Sequence, residues 1–194
     1  MKKLLLLGAL ISSIAMADVI EARLGVDLSN NGKVKYGNGD FTSGFEIGGE
    51  YRREVMENLE MGGGFSYNYS KLKAGDAPGV TARGIHSMPV YFTTRYKFKD
   101  FNGVTPYVKG NLGIAINSGK LEQKDVSEVK YNSGFYYGAG AGIEYKNFVA
   151  DLSYNVNTMS SKYTTKIPGA VNWNQKYNSN VGAFTLGLGY SFKF

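Results

Sequence analysis

The sequence predicts an all-β protein, an eight-stranded antiparallel up-and-down transmembrane β-barrel preceded by a cleavable signal peptide. Eight segments alternate apolar and polar residues with a period of two, and each is long enough to cross a tilted hydrocarbon layer, which takes about 9–11 residues. The connections between these segments alternate long and short, as in membrane-spanning barrels. Many of the 26 glycines fall on the polar face of the segments, as expected inside a narrow barrel.

The first seventeen residues have the pattern of a secretory signal peptide. Lys2 and Lys3 precede a short apolar run, and Ala15 and Ala17 fit an A-x-A cleavage site. The apolar run is shorter than the ~20 residues that a membrane-spanning helix needs. We therefore expect residues 1–17 to be a signal peptide and residues 18–194 to form one exported barrel domain.

The amino-terminal half of the mature chain contains four predicted strands. In the first, Ile20, Leu24 and Leu28 alternate with Glu21 and Arg23, so the two sets face opposite sides of an extended chain. The same alternation continues through the next three segments. The four predicted strands are residues 19–29, 41–53, 59–69 and 86–98.

The carboxy-terminal half supplies four more strands. The last is the clearest, because aromatic and leucine residues occupy every second position and end on Phe194, while Gly187, Gly189 and Lys193 face the other way. The four predicted strands are residues 106–116, 134–145, 148–157 and 181–194.

The connections predict which ends of the strands share a side of the membrane. Residues 30–40, 70–84, 117–133 and 158–180 are long, polar and rich in turn formers, and we expect them to be loops. The intervening connections are short. Short turns face the periplasm in such barrels and an even strand count returns the chain to its starting side, so both termini are expected to be periplasmic.

Charges on the polar face indicate which face is inside. A soluble up-and-down barrel would place the apolar face inside, but the crowding of glycines on the polar face favours a membrane barrel with a polar lumen. Buried charges need opposite partners, so the nearly balanced set predicts a lumen closed by ion pairs. The predicted network is Glu21, Arg23, Asp27, Glu46, Glu50, Arg52, Glu60, Arg95, Lys97, Lys109, Glu144, Asp151 and Lys193.

No motif for catalysis, cofactors or metals is evident. The glycine run from Gly138 to Gly142 lacks the spacing and the following helix of a nucleotide-binding loop. His86 is the single histidine, and its neighbour Ser87 faces the opposite side of a strand, so the two cannot form a dyad. There is no cysteine, and the acidic residues lie on separate strands without a calcium-binding motif. We expect neither enzyme activity nor a cofactor or metal.

Basic residues outnumber acidic ones in the long connections. An exported chain does not meet nucleic acid, so the acidic partner to consider is the membrane surface. These residues either contact lipopolysaccharide phosphates or are simply solvated. The candidate contacts are Lys33, Lys35, Lys71, Lys73, Arg83, Lys162, Lys166 and Lys176.

The pattern resembles the small OmpA-type and OmpX-like outer-membrane β-barrel families. The resemblance lies in PVYFTTRYKF, PYVKGNLGIAI, YYGAGAGIEY, DLSYNVN and the terminal GYSFKF. It implies insertion by the outer-membrane assembly machinery, which in such proteins reads the last strand, here with Tyr190, Phe192 and Phe194 as the assembly signal.

The resemblance also implies a location, the outer membrane of a Gram-negative bacterium. We expect a monomeric, non-enzymatic barrel, surrounded by outer-membrane lipid and lipopolysaccharide, that supports envelope integrity and presents loops for adhesion to a host or surface ligand. A narrow passive porin and a lipid-modifying enzyme are the alternatives. A carrier of small apolar molecules would need an apolar lumen, against which the charged face argues.

Overall fold

The computed structural model describes residues 18–32, 41–72, 80–82, 85–118, 120–123, 127–165 and 175–194. These ranges contain eleven strands and no helix. None of them includes a helix long and apolar enough to cross a membrane. The predicted signal peptide, residues 1–17, lies outside the described residues.

Eight long strands form the wall of the barrel, and three short strands lie beyond its rim. The wall strands are β1 (Asp18–Gly32), β2 (Phe41–Met56), β3 (Leu59–Leu72), β5 (Ile85–Lys97), β6 (Val104–Ser118), β9 (Gly134–Tyr145), β10 (Phe148–Thr165) and β11 (Gln175–Lys193). The short strands are β4 (Val80–Ala82), β7 (Lys120–Gln123) and β8 (Ser127–Asn132).

The wall closes because the first and last strands pair with each other. Each wall strand is antiparallel to the next along the chain, and β11 pairs with both β10 and β1. A path that starts at Val19 and moves from each residue to its paired residue on the next strand returns to β1 at Asn30, farther along that strand. Such a stagger means that the strands are tilted. The predicted fold class, a closed eight-stranded antiparallel barrel, is confirmed.

Tight connections and both chain ends lie at one end of the barrel, which we call the terminus side. Each of these three turns contains a non-glycine residue in the left-handed region, Asn58 at φ 65°, Asn102 at φ 54° and Lys146 at φ 56°. The backbones of Asp18 and Phe194 are joined by hydrogen bonds of 3.3 and 3.1 Å. The opposite end, where the long connections lie, is the loop side.

Strands extend into all four of the segments expected to be loops, and the loop prediction is wrong for those residues. β4, β7 and β8 lie within such segments, and β10 and β11 stay paired as far as Tyr163 and Gln175. On the loop side of Gly134, where β9 begins, β10 pairs with β8 instead of β9. β8 pairs in turn with β7, and β7 with β4. We call β4, β7, β8 and the outer parts of β10 and β11 the loop-side sheet. Its backbone hydrogen bonds are independent of apolar alternation, so the pattern that predicted the wall could not reveal it.

The two faces of the wall differ in the way that a lipid-embedded barrel requires. Leu24 and Leu188 are 62% and 61% exposed on the outside, whereas Arg52 and Glu21 are fully buried on the inside. The outer face is an apolar band, and the interior is polar. The orientation of the strand faces agrees with the sequence prediction.

Glycine makes room for large side chains in the lumen. A Cβ at Gly142 would approach Tyr107 Cζ to 2.7 Å and Asp151 Cβ to 2.6 Å. A Cβ at Gly62 would overlap the carbonyl oxygen of Tyr51. Its neighbour Gly63 faces outward, where the nearest atom to an added Cβ lies at 3.7 Å.

Replacing Gly62 by Ala should destabilise the barrel by about 1–3 kcal/mol, because the added methyl must displace backbone. The matched control is Gly63→Ala, which should change the free energy of unfolding little. Urea unfolding of both refolded variants in detergent measures the difference. Equal stabilities for the two variants would contradict the packing role of Gly62.

Candidate functional site

The terminus-side half of the lumen is filled by charged side chains from all eight wall strands, with Lys193 of β11 at the rim. We call this set the ion-pair network. Its members are Glu21, Arg23, Glu50, Arg52, Glu60, Arg95, Lys97, Lys109, Glu144, Asp151 and Lys193.

Glu21 is the centre of this network. Its carboxylate accepts hydrogen bonds from Arg23 Nη1 at 2.8 Å, Arg52 Nη2 at 2.7 Å and Arg95 Nη2 at 3.2 Å. The Ser191 hydroxyl donates a fourth, at 3.0 Å to Oε2. One buried carboxylate on β1 is therefore surrounded by three guanidinium groups. Because this carboxylate is fully buried, water cannot readily take the place of any of the three guanidinium groups.

Arg52 connects three carboxylates with its planar guanidinium. Its Nε donates to Glu60 Oε2 at 3.0 Å, Nη2 donates to Glu21, and Nη1 donates to Glu50. A guanidinium offers five donors in a fixed plane, which suits a position where acids approach from several directions. Lysine, with one compact charge, could not reproduce this geometry.

Asp151 forms a second centre on β10. It accepts hydrogen bonds from Arg23 Nη2 at 2.9 Å, Lys109 Nζ at 3.0 Å and the Tyr107 hydroxyl at 2.8 Å. Arg23 contacts both Glu21 and Asp151 and thus links the two centres. The connection passes over Gly187 of β11, the strand that lies between β1 and β10.

The network reaches the terminus-side rim through lysines. Lys97 Nζ lies 2.5 Å from Glu60 Oε1 and 3.2 Å from Glu144 Oε2. Lys193 also pairs with Glu144, and its side chain is 41% exposed. Water therefore reaches the outermost pair but not the centre.

Neutral aromatic and hydroxyl groups complete the network, and the sequence analysis did not include them. The Arg95 guanidinium lies 4.1 Å from the centre of the Tyr107 ring, and the Tyr91 hydroxyl donates to Glu50 Oε1 at 3.2 Å. Tyr91, Tyr107 and Ser191 share the inward alternation of the charged residues, so that signal could have identified them.

The loop-side half of the lumen is different, because amides and hydroxyls replace most of the charges. Asn157 donates to Ser87 Oγ at 2.8 Å and to Asn117 Oδ1 at 2.7 Å, and Thr185 donates to Asp27 Oδ1 at 2.8 Å. A cavity of about 50 Å³ lies among these groups. Of the predicted network residues, Asp27 lines this cavity, and Glu46 is buried on the inner face of the neighbouring strand β2.

His86 lies on the outer wall rather than in the lumen. Its Nδ1 is 2.5 Å from the Tyr67 hydroxyl, and the Tyr69 ring packs 5.0 Å away, centre to centre. Ser87 is buried on the inner face, so the two residues do face opposite sides. Register places Ser118 directly opposite His86 on β6.

The terminal aromatic residues lie on the outer wall near the terminus side. Tyr190, Phe192 and Phe194 are 37%, 49% and 71% exposed. The Tyr190 ring packs against Phe192 at 4.9 Å and against Phe148 at 5.2 Å. They have the position of an interfacial aromatic belt.

Four lysines occupy one row of the loop-side sheet. Lys176 on β11 pairs with Lys162 on β10, Lys162 with Lys130 on β8, and Lys130 with Lys120 on β7. We call these four residues the lysine row. Lys162 and Lys176 were predicted from the sequence as lipopolysaccharide contacts, whereas Lys120 and Lys130 were not, because only the strand register brings the four together.

The other predicted lipopolysaccharide contacts are not brought together in the described ranges. Lys71 lies on β3, away from the lysine row. The remaining candidates lie outside the described residues. They are Lys33, Lys35, Lys73, Arg83 and Lys166.

Comparisons with known proteins agree on the architecture. A family model described as "Outer membrane protein beta-barrel domain" matches residues 4–192. The protein PM1543 of Pasteurella multocida (strain Pm70) is 25% identical over 120 residues, which cover 53% of this chain and 49% of that protein. The chain therefore spans about half the length of the curated relative that it matches.

Solved structures show the same fold at low sequence identity. The outer membrane protein OprG from Pseudomonas aeruginosa has a TM-score of 0.58 at 14% identity, covering 92% of this chain and 96% of OprG. The outer membrane enzyme PagL has a TM-score of 0.50 at 14% identity, covering 89% of this chain and 98% of PagL. At these identities the likeness shows the fold alone.

Replacing Glu21 by Gln should lower the free energy of unfolding by about 3–5 kcal/mol, because three buried guanidinium groups lose their shared counter-charge. The matched control is Asp18→Asn on the same strand. Asp18 pairs with Arg53 at 2.7 Å at the water-exposed rim, so its loss should have little effect. Chemical denaturation in detergent measures both, and a Glu21→Gln variant as stable as Asp18→Asn would contradict the central role of Glu21.

Proposed function

Because the chain belongs to the outer membrane protein beta-barrel domain family, we propose that it is a non-enzymatic barrel of the bacterial outer membrane with a sealed lumen and a surface-interaction role. In this proposal the terminus side faces the periplasm and the loop-side sheet faces outward. The protein contributes to envelope integrity, and its loop side binds anionic groups at the cell surface.

The lysine row is the observation that carries the surface role. Like charges directly opposite each other on neighbouring strands are destabilising, and here four lysines occupy consecutive positions across four strands. Bound anions would relieve that repulsion. Phosphate groups suit such a site, since a lysine ammonium is a compact point charge that binds phosphate well.

Lipopolysaccharide is the partner that this chemistry favours. It supplies closely spaced phosphates next to the outer end of any barrel in this membrane, within reach of strands that continue past the apolar band. An extracellular or host ligand with clustered anionic groups would use the same row. Lipopolysaccharide is present in the same leaflet, so its phosphates have the higher local concentration.

The ion-pair network supports a structural role rather than a pore. An eight-stranded barrel has an interior just wide enough for side chains to fill it. Here Glu21, Arg52 and Arg95 are almost fully buried across the terminus-side half. A solute would have to break several buried ion pairs at once to pass, and each broken pair costs about 3–5 kcal/mol.

The purified protein in planar lipid bilayers is expected to show no channel, or only a small conductance, because the ion-pair network blocks the lumen. A general porin reconstituted in the same bilayers serves as the positive control. Large, stable conductance steps would overturn the sealed lumen and favour the alternative of a narrow passive porin.

Replacing both Lys130 and Lys162 by Gln should weaken binding to lipopolysaccharide about tenfold, roughly 1.4 kcal/mol, through the loss of two phosphate contacts. The control pair is Lys99→Gln with Lys146→Gln, which removes the same charge from terminus-side turns. Binding is measured by titration calorimetry on protein refolded without lipopolysaccharide.

Stability provides a second readout for the lysine row. Without lipopolysaccharide, the Lys130 and Lys162 double variant should be at least as stable as the parent protein, because repulsion is removed. Equal lipopolysaccharide affinity for the loop-side and terminus-side variants would contradict the proposed surface role.

A lipid-modifying enzyme is the second candidate, supported by the position of His86 on the lipid-facing wall. The partner of its Nδ1 is the Tyr67 hydroxyl rather than a carboxylate, which ranks this candidate below the structural role. Overexpression tests it, since altered lipid A that depends on His86, and is lost in His86→Ala, would establish the enzyme.

A further inference from the structure

A cluster of aromatic side chains lies on the outer wall away from the lysine row, and the proposed surface role does not use it. Its members are Phe45 on β2, Tyr67 and Tyr69 on β3, and His86 on β5, and we call them the aromatic patch. The Tyr69 ring lies 5.7 Å from Phe45 and 5.0 Å from His86, centre to centre. β1 separates the patch from β11, and β6 and β9 separate it from β10.

The aromatic patch lies where the apolar band of the wall ends on the loop side. Outward residues of β5 extend from Tyr96, near the terminus side, to His86, near the loop side. This stretch is about 33 Å of strand, and at a tilt of about 35–45° it spans roughly 23–27 Å along the barrel axis. An apolar band is about 25 Å tall. With the loop side outward, His86 therefore lies level with the headgroups of the outer leaflet.

Aliphatic residues border the aromatic patch on both sides. Leu28 is the last outward apolar residue of β1 before the loop side, and Ile116 is that of β6. They are 60% and 53% exposed. A belt that only anchors a barrel in its membrane has no reason to be interrupted on both flanks. The patch is therefore a bounded surface of the size of one small headgroup group rather than part of a continuous belt.

Polar groups lie among the rings of the patch. A hydrogen bond of 2.5 Å joins the Tyr67 hydroxyl to His86 Nδ1. Among the described residues, neither His86 Nε2 nor the Tyr69 hydroxyl has a hydrogen-bond partner. All three side chains are half-buried, so these two groups are held at the edge of the hydrocarbon, where an unpaired polar group is costly.

The free imidazole nitrogen favours a ligand with hydroxyl groups. If Nδ1 accepts the hydrogen bond of Tyr67, Nε2 of His86 carries the proton and donates. If Nδ1 donates, Nε2 accepts. A hydroxyl group both donates and accepts, so it can pair with Nε2 in either tautomer, whereas an ionised phosphate can only accept.

We propose that the aromatic patch binds the sugar rings of a lipopolysaccharide headgroup. A pyranose ring has an apolar C–H face that can pack on an aromatic ring, and a rim of hydroxyl groups that can pair with Tyr69 and His86. The phosphatidylglycerol headgroup, in contrast, has no ring. The inference rests on the proposed function for the outward orientation of the loop side, and it does not depend on the lysine row.

The single histidine of the chain gives a direct readout of the patch. NMR records the labelled imidazole of His86 in untagged protein in phosphatidylcholine nanodiscs. The nanodiscs receive lipopolysaccharide, dephosphorylated lipopolysaccharide or phosphatidylglycerol at the same mole fractions. The two lipids with sugar rings should shift the His86 resonances saturably, and phosphatidylglycerol should not. No saturable shift with dephosphorylated lipopolysaccharide, or an equal shift with phosphatidylglycerol, would overturn the sugar site.

Replacing Tyr69 by Leu should weaken the binding of dephosphorylated lipopolysaccharide about tenfold, because a packing ring and a hydroxyl are lost. The matched control is Tyr154→Leu, which removes an outward tyrosine that packs on Phe184 at 4.8 Å. Gel mobility with and without heating verifies that both variants are folded. Parental affinity in folded Tyr69→Leu, or equal weakening in Tyr154→Leu, would contradict the proposed site.

The aromatic patch and the lysine row can fail separately. The Lys130 and Lys162 double variant should keep its affinity for dephosphorylated lipopolysaccharide, because that lipid has no phosphate to lose. If dephosphorylated lipopolysaccharide does not bind the parent protein, while binding of the intact lipid still depends on the two lysines, the patch is refuted and the surface role stands. The reverse result would refute the lysine row and support the patch.

Discussion

A charge in a narrow, dry lumen must have an opposite charge within hydrogen-bond reach, and much of this molecule follows from that constraint. Glu21 satisfies three guanidinium groups at once, and Arg23 carries the same compensation across to Asp151. Such side chains fit only because glycines such as Gly142 leave space above them. The alternating pattern, the glycine distribution and the polar interior thus have one physical origin.

Much of the wall could be predicted from the sequence, because a lipid-facing side and a polar side impose a period of two on every strand. The same alternation placed Glu21, Arg52 and Asp151 together on the inner face. It could not reveal the loop-side sheet, whose strands are held by backbone hydrogen bonds, nor the lysine row, which includes Lys120 and Lys130. The pairing register between strands that are distant in sequence determines which of these residues become neighbours. That register cannot be inferred from a single sequence.

The lumen is divided along its axis, and the division separates two kinds of chemistry. Towards the termini, buried guanidinium and carboxylate groups pair with one another. Towards the loops, Asn155 and Asn68 present neutral oxygens around a small cavity. The terminus-side half of the lumen is therefore held by ion pairs, and the loop-side half by neutral hydrogen-bonding groups.

The pairing of β1 with β11 has a kinetic and topological consequence. Every other contact between wall strands joins consecutive long strands, whereas this one joins the two ends of the chain, down to the backbones of Asp18 and Phe194. Loop-closure entropy makes it the slowest contact to form. Until it forms, two unpaired strand edges would face hydrocarbon, which lipid does not tolerate. One edge of the first strand therefore stays unpaired until the last strand is in place.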